Sequence, residues 1–152
     1  MSIFPTKILL ATDGSKEAGL ALTTAADLAK STNSELHLVY VFPTAVQRPF
    51  PNPILARPAD EMEHELEEAM HQAQEFLDRQ AERVKEEGAA VAEAHLLRGE
   101  PDKEIVHLSE ELGAGLIVMG SRGLGGIRRA LMGSVSDSVV RHAHCPVLIV
   151  RE

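Results

Sequence analysis

Two hydrophobic rhythms alternate along the chain. The runs Ile8–Thr12, Leu36–Phe42, Val91–Leu97, Leu116–Met119 and Pro146–Val150 predict five strands. In Ile8–Thr12 the apolar side chains are consecutive, the signature of a parallel strand covered on both faces. Between the strands the period changes. Ala18, Ala21, Leu22, Ala25, Leu28 and Ala29 recur at i, i+3, i+4, i+7 spacing, which predicts an amphipathic helix capped by Ser15 and running to about Ser31. A long helix follows over Asp60–Glu87, with Met62, Leu66, Ala69, Ala73, Phe76, Leu77 and Val84 on one face and Gly88 as its stop. Pro101 suits a first helical position, and Ile105, Leu108 and Leu112 carry that helix to Gly113. A short helix fits Ser134–Ala143. Strands alternating with helices give a parallel sheet with right-handed crossovers. The expected fold is α/β: a three-layer, doubly wound, five-stranded parallel sheet in one domain spanning residues 1–152.

The segment leaving the fourth strand carries the most specific chemistry. Residues Gly120–Ser134 read Gly-Ser-Arg-Gly-Leu-Gly-Gly-Ile-Arg-Arg-Ala-Leu-Met-Gly-Ser, between an apolar strand and a helix start. A glycine-rich loop in that position presents backbone N–H groups to phosphate. Between Gly120 and Arg141 stand Arg122, Arg128, Arg129 and Arg141 against one acid, Asp137, so a polyanion is the expected guest. The spacing Gly120-x2-Gly123-x9-Gly133-Ser134 is neither G-x-x-x-x-G-K-[ST] nor G-x-G-x-x-G. Gly120 and Gly123 would let the backbone pass close to a ligand, and Ser134, Val135 and Ser136 would offer the free N–H groups and hydroxyls of a first helical turn. Asp13, at the turn after the first strand, could accept from a ribose hydroxyl, orient a metal's water shell, or simply form an Asx turn.

That spacing is similar to the nucleotide-binding loop of the universal stress protein family, and the resemblance covers nearly the whole chain. It takes in Lys7–Ser15 (Lys-Ile-Leu-Leu-Ala-Thr-Asp-Gly-Ser), Arg98-Gly-Glu-Pro101, Ile117-Val-Met-Gly-Ser-Arg-Gly123 and Cys145-Pro-Val-Leu-Ile-Val-Arg151. The resemblance implies strand order 3-2-1-4-5, with a ligand crevice between strands one and four. It implies a nucleotide site at Ala11, Thr12, Asp13, Val41, Met119, Gly120, Ser121, Arg122, Gly123, Gly133, Ser134, Val135 and Ser136. In that site Asp13 would lie against sugar and phosphates, the Val41 backbone at the adenine edge and Met119 near the base. The implied ligand is ATP, with Mg²⁺ accompanying the nucleotide. It also implies a homodimer through the edge strand Val147–Arg151. The chain departs from the family at Gly115, where an acid is common.

Composition narrows the function further. The formal net charge is −8 and aromatics make up 3% of the chain, which argues against nucleic-acid binding by a phosphate footprint or by base stacking. Asp60–Glu87 holds eleven acids and three bases, read as a solvated helix face. The one cysteine, Cys145, suits a reducing compartment, and the N-terminus lacks a signal-peptide pattern. A cytoplasmic location, with no membrane partner, is expected. Five prolines between Pro43 and Pro58 mark a long loop, of the kind that is often functional. His142-Ala143-His144-Cys145 offers metal-ligand atoms, but adjacent positions at a helix end diverge, and no metal site is expected there. No nucleophile–base–orienter set is visible. Related nucleotidyl-transfer enzymes carry H-x-G-H after the first strand, where this chain reads Thr12-Asp13-Gly14-Ser15, so adenylyl transfer is disfavoured. The expectation is a regulatory ATP binder with at most slow hydrolysis. Its rivals are a hydrolase using Asp13 with a divalent metal, and a sensor of another adenine nucleotide such as a cyclic monophosphate.

Overall fold

The alternation of periods becomes an alternation of elements. The computed structural model describes residues 2–43, 59–122 and 133–152. Strands β1 (Lys7–Ala11), β2 (Glu35–Pro43), β3 (Val91–Gly99), β4 (Leu116–Gly120) and β5 (Val147–Val150) are linked by helices α1 (Lys16–Thr32), α2 (Ala59–Glu86), α3 (Pro101–Leu112) and α4 (Ser134–His142). All neighbouring strands pair in parallel, in the order β3-β2-β1-β4-β5. This is the order that the family resemblance implied. Much of the proline-rich loop (residues 44–58) and part of the glycine loop (residues 123–132, including Gly123, Arg128 and Arg129) lie outside the described residues.

Burial explains why helices are needed on both sides. Ile8, Leu9 and Leu10 of β1 are each fully buried, and successive strand residues point to opposite faces. Ile8 and Leu10 join Leu36, Leu38, Leu116 and Val118 under Ala21, Leu22 and Ala25 of α1 and Leu77 and Val84 of α2. Leu9 and Ala11 join Val39, Val41, Ile117 and Met119 under Ile105 and Leu108 of α3 and Val139 of α4. Burying one such large aliphatic side chain contributes about 1.5–3 kcal/mol, so neither face of the sheet can be left to water. The crossover helices α1 and α2 therefore cover one face and α3 and α4 the other. Between β1 and β4 the winding reverses, and the crevice beyond the strand ends opens there.

The helix ends follow local chemistry. The Ser15 side chain caps α1, accepting from the Ala18 N–H at 3.1 Å. Asn33, an end signal not anticipated, closes α1 at φ 55°, a left-handed conformation that asparagine tolerates better than most residues. Gly113 closes α3 in the same region, at φ 65°. Gly115, where the family often has an acid, is packed so closely on Thr6 that an added Cβ would overlap its side chain. Two strands run longer than hydrophobicity indicated. The β2–β3 ladder continues to the Pro43–Gly99 pair, because backbone pairing at a sheet edge does not require apolar side chains.

Candidate ligand cleft at the switch point

A cavity of about 310 Å³ opens where β1 and β4 part, at the lower end of the range for small-molecule sites. Its floor is the ends of three strands: Ala11 and Thr12, Val39 to Val41, and Met119 and Gly120. Its walls are the first turns of three helices, reached at Ala18, at Pro101 and Ile105, and at Gly133 to Ser136. Of the expected site residues, Ala11, Thr12, Asp13, Val41, Met119, Gly120, Arg122, Gly133, Ser134, Val135 and Ser136 all line this one cleft. Ser121 lies behind it, 2% exposed, and Gly123 falls outside the described residues.

Each polar group in the cleft has a distinct situation. The Thr12 N–H continues the ladder to the Val39 carbonyl at 3.0 Å. Its hydroxyl, by contrast, is buried without a hydrogen-bond partner among the described residues. Such a group costs about 1–3 kcal/mol while unsatisfied, and the residue that carries it lines the cleft. Asp13 does form the Asx turn, its Oδ1 accepting from the Ser15 N–H at 2.9 Å, and it still lines the cleft. The turn fixes the carboxylate at the cleft. Helix α4 begins at Gly133 with no side-chain cap. The N–H groups of Ser134, Val135 and Ser136 therefore lack intrahelical acceptors, and the positive end of the helix dipole meets the cleft. Gly133 has an ordinary φ of −74°, so no left-handed backbone conformation requires a glycine there. The Ser136 hydroxyl differs from expectation: it donates to the Ser121 carbonyl at 2.6 Å and is buried, so it braces the loop instead of offering a donor.

Gly120 also acts otherwise than expected. A Cβ there would lie 2.9 Å from the Glu17 carbonyl carbon and 3.0 Å from the Ala18 nitrogen, so glycine is needed for the close approach of β4 to α1. That approach exposes a residue that the sequence reading missed. Glu17, 5% exposed, accepts from the Ser121 hydroxyl and from the Arg122 backbone N–H at 2.8 Å. Its second oxygen accepts from Arg122 Nε at 3.2 Å and a terminal guanidinium nitrogen at 2.9 Å. The Ser121 hydroxyl, then Arg122, hold the Glu17 carboxyl below its ordinary pKa, against the opposing effect of burial. Glu17 thereby bolts the start of the glycine loop to the first turn of α1, with the Arg122 charge already compensated. A signal was present: Glu17 falls on the stripe of Ala21 and Ala25, where an acid is out of place. Tyr40 at the rim was also missed. It meets Phe76 of α2 edge-on at 5.0 Å, and burial, followed by the nearby Asp13, raises its pKa.

The sequence profile of the Universal stress protein family matches residues 5–151. The chain belongs to that family. It is similar to a universal stress protein of Methanocaldococcus jannaschii, 32% identical over 96% of this chain and 82% of that one. It is also similar to the universal stress protein YxiE of Bacillus subtilis, 36% identical over 95% and 98% of the two chains. Among solved structures, the universal stress protein UspA from Lactobacillus plantarum superposes with a TM-score of 0.82 at 26% identity, covering 99% of this chain and all of that one. A universal stress protein solved in complex with cAMP superposes at 0.68 with 28% identity over 97% of both chains. One from Archaeoglobus fulgidus, solved in complex with dAMP, superposes at 0.65 with 26% identity over 98% and 99%. No helix among the described residues is long and apolar enough to cross a membrane.

Proposed function

We propose that this universal stress protein binds ATP, together with Mg²⁺, in the cleft at the switch point, and that it works as a cytoplasmic regulatory homodimer. The observation that carries the reading is the Thr12 hydroxyl, buried and unpartnered in a cleft that also receives the uncapped start of α4. A polar anionic ligand answers both: an oxygen acceptor or hydroxyl for Thr12, and phosphate for the helix N-terminus. Asp13, fixed by its turn, is placed to hold a sugar hydroxyl or the water shell of the cation. The apolar lining at Val39, Val41, Ile105 and Met119 suits a flat base, while Glu17 keeps Ser121 and Arg122 in position. The bound cation would supply charge neutralisation on the phosphates. The residues of this chain bind and orient, and no described side chain stands as a general base for water, so turnover is expected to be slow at most. The relatives solved in complex with cAMP and with dAMP support a second reading, a sensor of an adenosine monophosphate, because base and sugar contacts do not depend on phosphate number.

The dimer reading rests on β5. It is an edge of the sheet, its four residues are half-buried, and an unpaired apolar edge invites pairing with a second copy. Denaturing freshly purified protein and identifying the released nucleotide by mass spectrometry separates the two ligand readings. ATP or ADP supports the first, whereas a mono- or cyclic phosphate supports the second.

A further inference from the structure

We infer that His37, Glu93 and His95, on the sheet face away from α1 and α2, form a binding site for a divalent d-block cation of the zinc type. The site clamps the edge strand β3 onto β2, and it shares no residue with the ligand cleft.

The site originates in a strand irregularity. At the beginning of the β2–β3 ladder Leu36 pairs with Val91, but His37 pairs with Glu93 and Val39 with His95. Ala92 is the extra residue of a bulge. In a regular ladder paired residues share a face, so His37 would have stood beside Ala92, and Glu93 and His95 would have pointed to the opposite face. The bulge reverses the parity and puts all three heteroatom side chains on the face of His37. Re-aiming side chains is a common use of bulges.

The geometry that results suits a metal. The ligand atoms of the three residues lie within 4.8 Å of one another, with His37 Nδ1 3.3 Å from His95 Nε2. Two imidazole nitrogens, each ~2.05 Å from a tetrahedral zinc, stand ~3.3 Å apart. Glu93 Oε2 lies 3.8 Å from His95 Nε2 and, being largely exposed, can close that gap at little cost. Glu35 Oε2 sits 3.3 Å from the other nitrogen of His37. By accepting from Nε2–H it leaves the Nδ1 lone pair facing the site, the arrangement in which a carboxylate orients a metal-bound histidine. His37 is 5% exposed, so its ring is held rather than free to rotate away. Two imidazoles and one carboxylate are a zinc-type donor set, and water completes the fourth position.

The test uses full-length, tag-free, chelator-treated protein and zinc chloride, with a chromophoric chelator as competitor. Co²⁺ serves as the spectroscopic probe of coordination. We expect one zinc per chain, a tetrahedral Co²⁺ spectrum and a rise in Tm on zinc addition. His95→Gln should lower zinc affinity by at least ~100-fold, and Glu35→Gln by ~10-fold or more. His107→Gln, which alters only an exposed pair with Glu111, should change neither. ATP affinity should be the same in His95→Gln as in the parent, which keeps this inference separate from the nucleotide reading. Since His37 is buried, Glu93→Gln at the surface provides the second ligand test. Zinc binding equal in the parent, His95→Gln and Glu93→Gln overturns the inference, as does an octahedral Co²⁺ spectrum or the absence of stoichiometric binding.

Discussion

Replacing Glu17 by Gln tests the role of the buried carboxylate most sharply, because shape is kept and only charge and one acceptor are lost. In the wild type one oxygen accepts from the Ser121 hydroxyl and the Arg122 N–H, the other from two guanidinium nitrogens. In either amide orientation glutamine turns an NH₂ group towards donors that need an acceptor. Removing one partner of a buried ion pair costs ~3–5 kcal/mol. The Arg122 side chain is 28% exposed, so water recovers part of its solvation, and the lower figure of about 3 kcal/mol applies. A domain of this size shifts by roughly 2–4 °C per kcal/mol, giving a fall in Tm of about 6–12 °C. Urea denaturation followed by circular dichroism should show this as a lower midpoint at unchanged slope. The pH dependence has a definite sign. A carboxyl whose pKa is depressed on folding stabilises above its unfolded value and loses that contribution as pH falls through the folded value. The gap between wild type and variant should therefore be widest above the ordinary glutamate range, at about pH 5 and higher, and narrow as pH falls through the lowered folded value. A loss under 1 kcal/mol at neutral pH, or a gap that widens in acid, would refute the reasoning.

Three further outcomes are expected. Thr12→Val removes the unpartnered hydroxyl, so unliganded stability should hold or rise by up to ~1 kcal/mol while ATP affinity drops ~5–10-fold; equal affinity by calorimetry would take Thr12 out of the site. Gly120→Ala drives a methyl group into the α1 backbone and should cost about 1–3 kcal/mol, with weakened ATP binding measured on the folded fraction; an unchanged melting curve would show that β4 and α1 can part freely. Ile149→Pro removes a potential ladder donor at the β5 edge, and light scattering should find a dimer in the wild type and a monomer in the variant; a monomeric wild type contradicts the edge-pairing proposal.

What could be read from residues alone was what depends on local pattern. The consecutive apolar run Ile8–Leu10 signalled a strand buried on both faces, and the period of Ala18 to Ala29 gave the helix that covers one of them. Ser15, Gly88 and Pro101 act locally, and each stands at the helix boundary its chemistry suggested. The strand order did not follow from periodicity, since hydrophobic pattern says which face is buried but not which strand lies beside which; it came from the family resemblance. The partners of Glu17 were out of reach for the same reason, since Ser121 lies more than a hundred positions away in sequence. His37 and His95 meet only because a bulge at Ala92 changes the register, and no spacing rule foretells a bulge. Gly120 was singled out for a close approach to a ligand, whereas the structure shows the α1 backbone pressed against it.

The proposed adenine nucleotide, held in the cleft between β1 and β4 by its phosphates and base together, is measured directly by isothermal titration of ATP with Mg²⁺ into nucleotide-stripped wild-type protein, alongside GTP. One ATP per chain is expected, with a Kd in the micromolar range or tighter, about −8 kcal/mol or more, and at least tenfold weaker binding of GTP. No saturable heat with ATP, or ATP and GTP binding alike, would contradict it.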